Sequence, residues 1–230
     1  FNVYFGPAVN AARGLAAQVH TAVGKFSQNF FTAVQPQITK SYASNNIDDS
    51  HSLVLRSSRL AFILMMAFVI PIVFEAEFLL GIWLKEVPEH TIVFVQIIMM
   101  FSLIESFSYP LIHLMLATGN IKKYQLVVGS VNILNFPVAW LILLLGGSPE
   151  LSQLSVVAFS IIALVLRVVM LKPMTNFPVK QFLTSTVLRC LGILAVGIIP
   201  AYIFVSFMDI GILRFGCNIV ITELTILIMV

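Results

Sequence analysis

Charge is what this sequence has least of. Ten per cent of its 230 residues are Asp, Glu, Lys or Arg, where a soluble domain carries about a quarter, and the deficit excludes an ordinary water-soluble globule. The formal net charge of +3, with no basic cluster interleaved with aromatics, gives no footing for a nucleic-acid partner. Cysteine is nearly absent. Cys190 and Cys217 lie in apolar stretches with no second Cys or His at ligand spacing, and both read as core or lipid-facing thiols. The chain also lacks a Walker A loop, a GxGxxG turn, an HExxH helix and a Ser-centred elbow. No enzymatic chemistry and no cofactor or metal is therefore expected. Without an initiating Met or a signal-peptide pattern, and ending in an apolar run, the chain reads as an internal fragment of a longer protein.

What is abundant is hydrophobic residue, at 59% of the chain. A spanning helix needs about 20 mostly apolar residues, and such stretches occur at 60–84, 91–117, 124–146, 151–171, 183–207 and 211–230. A longer and less apolar stretch at 8–37 reads as a seventh span. The fold class expected is all-α, a polytopic transmembrane helical bundle. Charge alternates between successive connections. Lys40, Arg56 and Arg59 flank the first, Lys122 and Lys123 the third, and Arg167, Lys172, Lys180 and Arg189 the fifth. The opposite connections carry Lys85 with Glu86 and Glu89, then Glu150, then Asp209 with Arg214. The positive-inside rule puts the basic loops in the cytoplasm, residue 1 outside and Val230 inside. GGSPE at 146–150 and ATGN at 117–120 are turns, and SYASNNIDDSHS at 41–52 reads as the single linker-like loop. Asp48 and Asp49 beside His51 read there as a solvated turn in preference to a metal site.

The first stretch is amphipathic. At 100° per residue Asn10, Arg13, Ala17, His20, Thr21, Gly24, Gln28 and Gln35 share a stripe, with Lys25 and Thr32 at its edge. Leu15, Val19, Phe26 and Phe30 lie opposite, and Ala8, Ala12 and Ala16 form a row on which another helix can pack closely. A buried charge in a bilayer is costly, so ionisable residues in spans face a bundle interior or an aqueous cavity. Arg13 and Lys25 lie twelve residues apart, about 18 Å along a helix. Each reaching the headgroups from its own end is one reading, and a water-lined cavity is the other, favoured by the unbroken polar stripe between them.

A second polar line, Ser102, Glu105, Ser106, Tyr109 and His113, marks the stretch 91–117. Glu105 reads either as a hydrogen-bonded or ion-paired carboxyl, or as a proton or cation site or a partner for Arg13. His113 reads as a polar interface residue, and Gln125, Asn132 and Asn135 as interhelical hydrogen-bonding groups. Pro71, Pro110, Pro137 and Pro200 predict bends. Glu75 and Glu77 read as solvated helix ends near the outer surface, and Trp83 as an interfacial anchor.

Several strings carry a family resemblance. FGPAVNAARGLAAQV, then F-x-x-NF-x-x-AVQPQITKSYA, RSSRLAFILM, EAEFLLGIWLKEVPEHT, ATGNIKKYQLVVGSVNILNFPVAW and GGSPE together resemble bacterial O-antigen (polysaccharide) flippases of the multidrug/oligosaccharidyl-lipid/polysaccharide exporter superfamily. The likeness weakens after about residue 175. It implies a two-lobed bundle in the bacterial inner membrane, of which this chain forms most of the second lobe, and a partner lobe on the amino-terminal side. It also implies export of undecaprenyl-pyrophosphate-linked oligosaccharide by alternating access, with a polysaccharide polymerase among the implied partners. On that resemblance Arg13 and Lys25 suit the anionic head, Asn10, Gln28 and Gln35 the sugar hydroxyls, His20 is a further substrate-binding residue, and Glu105 suits the coupling of transport to an ion or proton. A cation- or proton-coupled multidrug exporter, a peptidoglycan-precursor flippase and a non-transporting scaffold of a polysaccharide-assembly complex stay open as alternatives.

Overall fold

A computed structural model describes residues 2–229; the expected positions of Phe1 and Val230 fall outside them. The described residues form eight helices and no strand: α1 (Asn2–Ala43), α2 (Ile47–Phe74), α3 (Ala76–Trp83), α4 (Thr91–Ala117), α5 (Ile121–Leu144), α6 (Pro149–Thr175), α7 (Val179–Phe207) and α8 (Ile212–Met229). Among the described residues, six of these are long and apolar enough to cross a membrane: α2, α4, α5, α6, α7 and α8. The protein is an all-α polytopic membrane bundle.

Helices α2 and α4 form the centre. They run antiparallel, with Phe62 stacked on Phe107 at 4.5 Å between centroids and the Gln96 amide donating to the Val73 carbonyl at 3.1 Å. Helix α1 lies along both, α6 packs on the far flank of α4 and carries α5, and α7 with α8 packs against α2. The outward faces of α5, α7 and α8 are apolar: Ile133, Phe136, Phe207, Ile212 and Ile228 are all exposed. In water such a surface would aggregate; in acyl chains it is at no disadvantage.

Turn chemistry sets the helix ends. Ser148 accepts from the Leu151 N–H at 3.2 Å and Pro149 starts α6, the residue type whose missing N–H costs nothing at that position. Gly119 and Gly146 take φ of 73° and 80°, a region open to glycine without a Cβ penalty.

The linker expected at 41–52 is not one. Asn46 accepts from the Asp49 N–H at 3.3 Å and donates to the Asp49 carboxylate at 3.1 Å, a reciprocal cap that starts α2 at Ile47, well before the expected residue 60. Asp48 and Asp49 then favour the positive end of that helix. His51 is buried, within 3.2 Å of the Thr175 hydroxyl and edge-on to Phe177, so it ties α2 to the α6 end. Two other boundaries also move. Helix α1 continues through Pro36 to Ala43, and the stretch 60–84 is broken at Glu75 into α2 and α3.

Candidate functional site

Helix α1 runs parallel to α4 and side by side with it. His20 Nδ1 is 2.7 Å from the Ser102 hydroxyl, 82 residues on, and the Phe31 ring meets Tyr109 at 5.0 Å. Helix α1, expected as a seventh span, is not among the six helices apolar enough to cross a membrane, and what aligns it with them is this parallel register with α4. Buried positions recur along α1 at Val9, Ala12, Ala16, Val23, Ser27, Phe31 and Ile38, the three-to-four spacing of a helix seam. The small-residue expectation holds for Ala12 and Ala16, which are 0% and 1% exposed. Ala8 is exposed, and so is Phe26, which stacks on Phe68 of α2 instead of entering the seam.

The opposite flank is open. Asn10, Arg13, Ala17, Thr21, Lys25, Gln28, Thr32 and Gln35 are all exposed, so five of the six polar residues expected to bind cargo share one accessible surface. His20 departs from it, turning into the seam against Ser102 and Phe101. The α1–α4 register, 78 to 82 residues from its two contacts, also sets depth. Arg13 is level with residues 91–95, the first turn of α4, while Lys25 is level with residues 103–107, near the middle of that 27-residue helix. If the ends of α4 mark the two surfaces of a bilayer, headgroups are within easy reach of Arg13 and on the order of 15 Å from Lys25 along the axis.

Glu105 stands at the same level as Lys25, and its cation comes from α6. Arg167 Nη1 is 3.8 Å from Glu105 Oε1 and donates to the Ser108 hydroxyl at 2.8 Å. At that distance the carboxylate is in ionic contact with the guanidinium and not hydrogen-bonded to it. Arg13, about ten residues along the register from Glu105, is too far to be its partner, so that alternative fails. Charge counting places Arg167 at a cytoplasmic connection, but it is buried well inside α6. The helix extends so far past it, to Thr175, that the residue cannot reach the loop. His113 is half-buried beside Phe31, at an interface as expected.

A fully buried ion pair lies at the break between α2 and α3. Glu75, expected to be solvated, is 0% exposed. Its Oε2 accepts from Arg214 Nε and Nη2 at 3.1 and 2.8 Å, and its Oε1 from the Asn218 amide at 3.3 Å. The break between α2 and α3 points the carboxylate inward, and α8 supplies the donors that make burial tolerable. Glu77 is exposed as expected. Glu150, the charge counted in the connection before α6, bonds to His90. Asn135 accepts from the Ser155 hydroxyl at 2.7 Å, while Gln125 and Asn132 are exposed. Cys190 is buried and Cys217 exposed.

The pairs Glu105–Arg167 and Glu75–Arg214 escaped sequence reading because each joins helices far apart in the chain. One signal was available: Arg167 and Arg214 both interrupt otherwise apolar runs.

These helices define a multi-pass membrane protein with one polar, cation-bearing helix flank. No family model, curated protein or solved structure matches the chain.

Proposed function

We propose that this chain is most of the second lobe of a flippase that moves undecaprenyl-pyrophosphate-linked oligosaccharide from the cytoplasmic to the outer leaflet of a bacterial inner membrane. Lys25 carries the proposal. An ammonium exposed at mid-depth is tolerated beside a water-filled cleft and not beside acyl chains, and a second lobe facing α1 would enclose such a cleft. Asn10, Gln28 and Gln35 extend the same surface with amides suited to sugar hydroxyls. Arg13, nearer the helix start, would meet the pyrophosphate where the cleft opens. Moving a head group across needs no bond to be made or broken, so the residues required are those that attract and release an anion.

Glu105, loosely held by Arg167 and level with Lys25, is the carboxylate we assign to ion or proton coupling. The sign of the flank separates this reading from drug export, because an exporter of cationic drugs would present acid where Lys25 stands. In cells lacking the gene, lipid-linked repeats should accumulate in the cytoplasmic leaflet. The wild-type chain should restore export and the Lys25→Ala with Arg13→Ala variant should not. Full restoration by that double variant would remove the flank from the mechanism, and export undiminished by the deletion would leave a scaffold role.

A further inference from the structure

A separate cationic feature lies outside the bundle, away from α1. Arg56 and Arg59 on α2 and Arg189 on α7 converge on a crevice of about 230 Å³ whose remaining lining is Leu60, Ile63 and Ile193. No acid lines it, and among the described residues none of the three arginines has a carboxylate within ion-pair distance. Guanidinium groups do not lose their proton in proteins, so their mutual repulsion is relieved only by an anion or by water.

The position of the crevice indicates which anion. Helices α2 and α7 run parallel here, with Thr186 of α7 within 3.5 Å of the Leu55 carbonyl and Gly197 beside Ile70. Arg189 is therefore level with Arg59. Towards the near end of these helices the exposed residues are mostly polar, Asp48, Asp49, Lys180, Gln181 and Thr184, with Leu183 and Leu188 among them; beyond the crevice they are apolar, Leu64, Leu191, Val196 and Ile199. The three arginines thus occupy the boundary where a polar surface gives way to a lipid-facing one. An apolar floor below a cationic rim matches a molecule with a charged head and a hydrocarbon tail.

We propose that this crevice binds the phosphate of an anionic membrane phospholipid, the guanidinium forks holding the phosphate oxygens and Leu60, Ile63 and Ile193 the start of the acyl chains. Fork geometry favours arginine for this contact. The inference is independent of whether the chain exports sugars.

The test is native mass spectrometry of the full chain in detergent, titrated with phosphatidylglycerol and with phosphatidylcholine, alongside calorimetric titration with inorganic phosphate. Wild type should retain phosphatidylglycerol preferentially. Arg56→Gln with Arg59→Gln and Arg189→Gln should weaken that retention at least roughly tenfold, from the typical contribution of each basic residue at an anionic surface. Lys122→Gln with Lys123→Gln should leave it unchanged. Should the triple variant not fold, Arg56→Gln alone, at an exposed position, should shift retention in the same direction by a smaller factor. Undiminished preference in the folded triple variant, or in Arg56→Gln, would overturn the proposal. So would binding of inorganic phosphate to the crevice without any lipid preference, which would assign it to a soluble anion.

Discussion

Arg214 and Glu75 meet at 2.8 Å in the buried core, 139 residues apart in sequence. The contact pins the last described helix to the break between α2 and α3, and Asn218, with Thr222 at 3.3 Å behind it, completes the carboxylate's partners.

Removing one member of a buried pair strands the other's charge, a loss of about 3–5 kcal/mol. Arg214→Met should therefore lower the unfolding midpoint in detergent-and-denaturant titration well below wild type. The double change Glu75→Met with Arg214→Met should recover much of the loss, because no charge is then left unpaired. An Arg214→Met midpoint equal to wild type would show that the pair does not support the fold.

The α1 seam makes a steric prediction. Ala12 and Ala16 are fully packed against neighbouring helices, so leucine at either should cost about 1–3 kcal/mol through overpacking. Ala17→Leu, on the open flank, should change little. Thermal unfolding of the three variants checks this, and equal stability would mean that α1 does not pack as described.

Glu105→Gln should fold but lose about 1–3 kcal/mol, since it removes the carboxylate in ionic contact with the buried Arg167 guanidinium and leaves that group its hydrogen bond to Ser108. Arg167→Met leaves Glu105, about one-fifth exposed, without its counter-ion, and Glu105→Gln combined with Arg167→Met should recover part of either loss because no charge is then left unpaired. If Glu105 couples export to an ion, Glu105→Gln cells accumulate lipid-linked repeats despite normal protein levels. Normal export in that strain would remove Glu105 from the coupling step.

Helix direction alternates, so the turns at 44–46, 118–120 and 176–178 share one end of the bundle, while 84–90, 145–148 and 208–211 share the other. With Cys190→Ser and Cys217→Ser as background, Ser44→Cys and Asn120→Cys should react with an impermeant maleimide from one side of the membrane, and Glu89→Cys and Ser148→Cys from the other. The charge rule makes the first side cytoplasmic. Labelling of Ser44→Cys and Glu89→Cys from the same side would contradict the crossing of α2.

Hydropathy and turn chemistry by themselves determined that the chain is all helical and multi-pass, and placed α4 at 91–117, because bilayer thickness sets span length and Gly, Pro and Ser at helix ends act locally. The open polar stripe of α1 was equally legible, since a helical period of 3.6 turns sequence spacing into a face. Local spacing also misled. The cap at Asn46 converted an apparent linker into helix, and an apparently solvated Glu75 is wholly enclosed. Only the tertiary structure decided which charges are buried together, that His20 leaves the stripe for Ser102, and that Arg56, Arg59 and Arg189 share a crevice. Those outcomes depend on which helices become neighbours and at what register, and neither is encoded in any single segment.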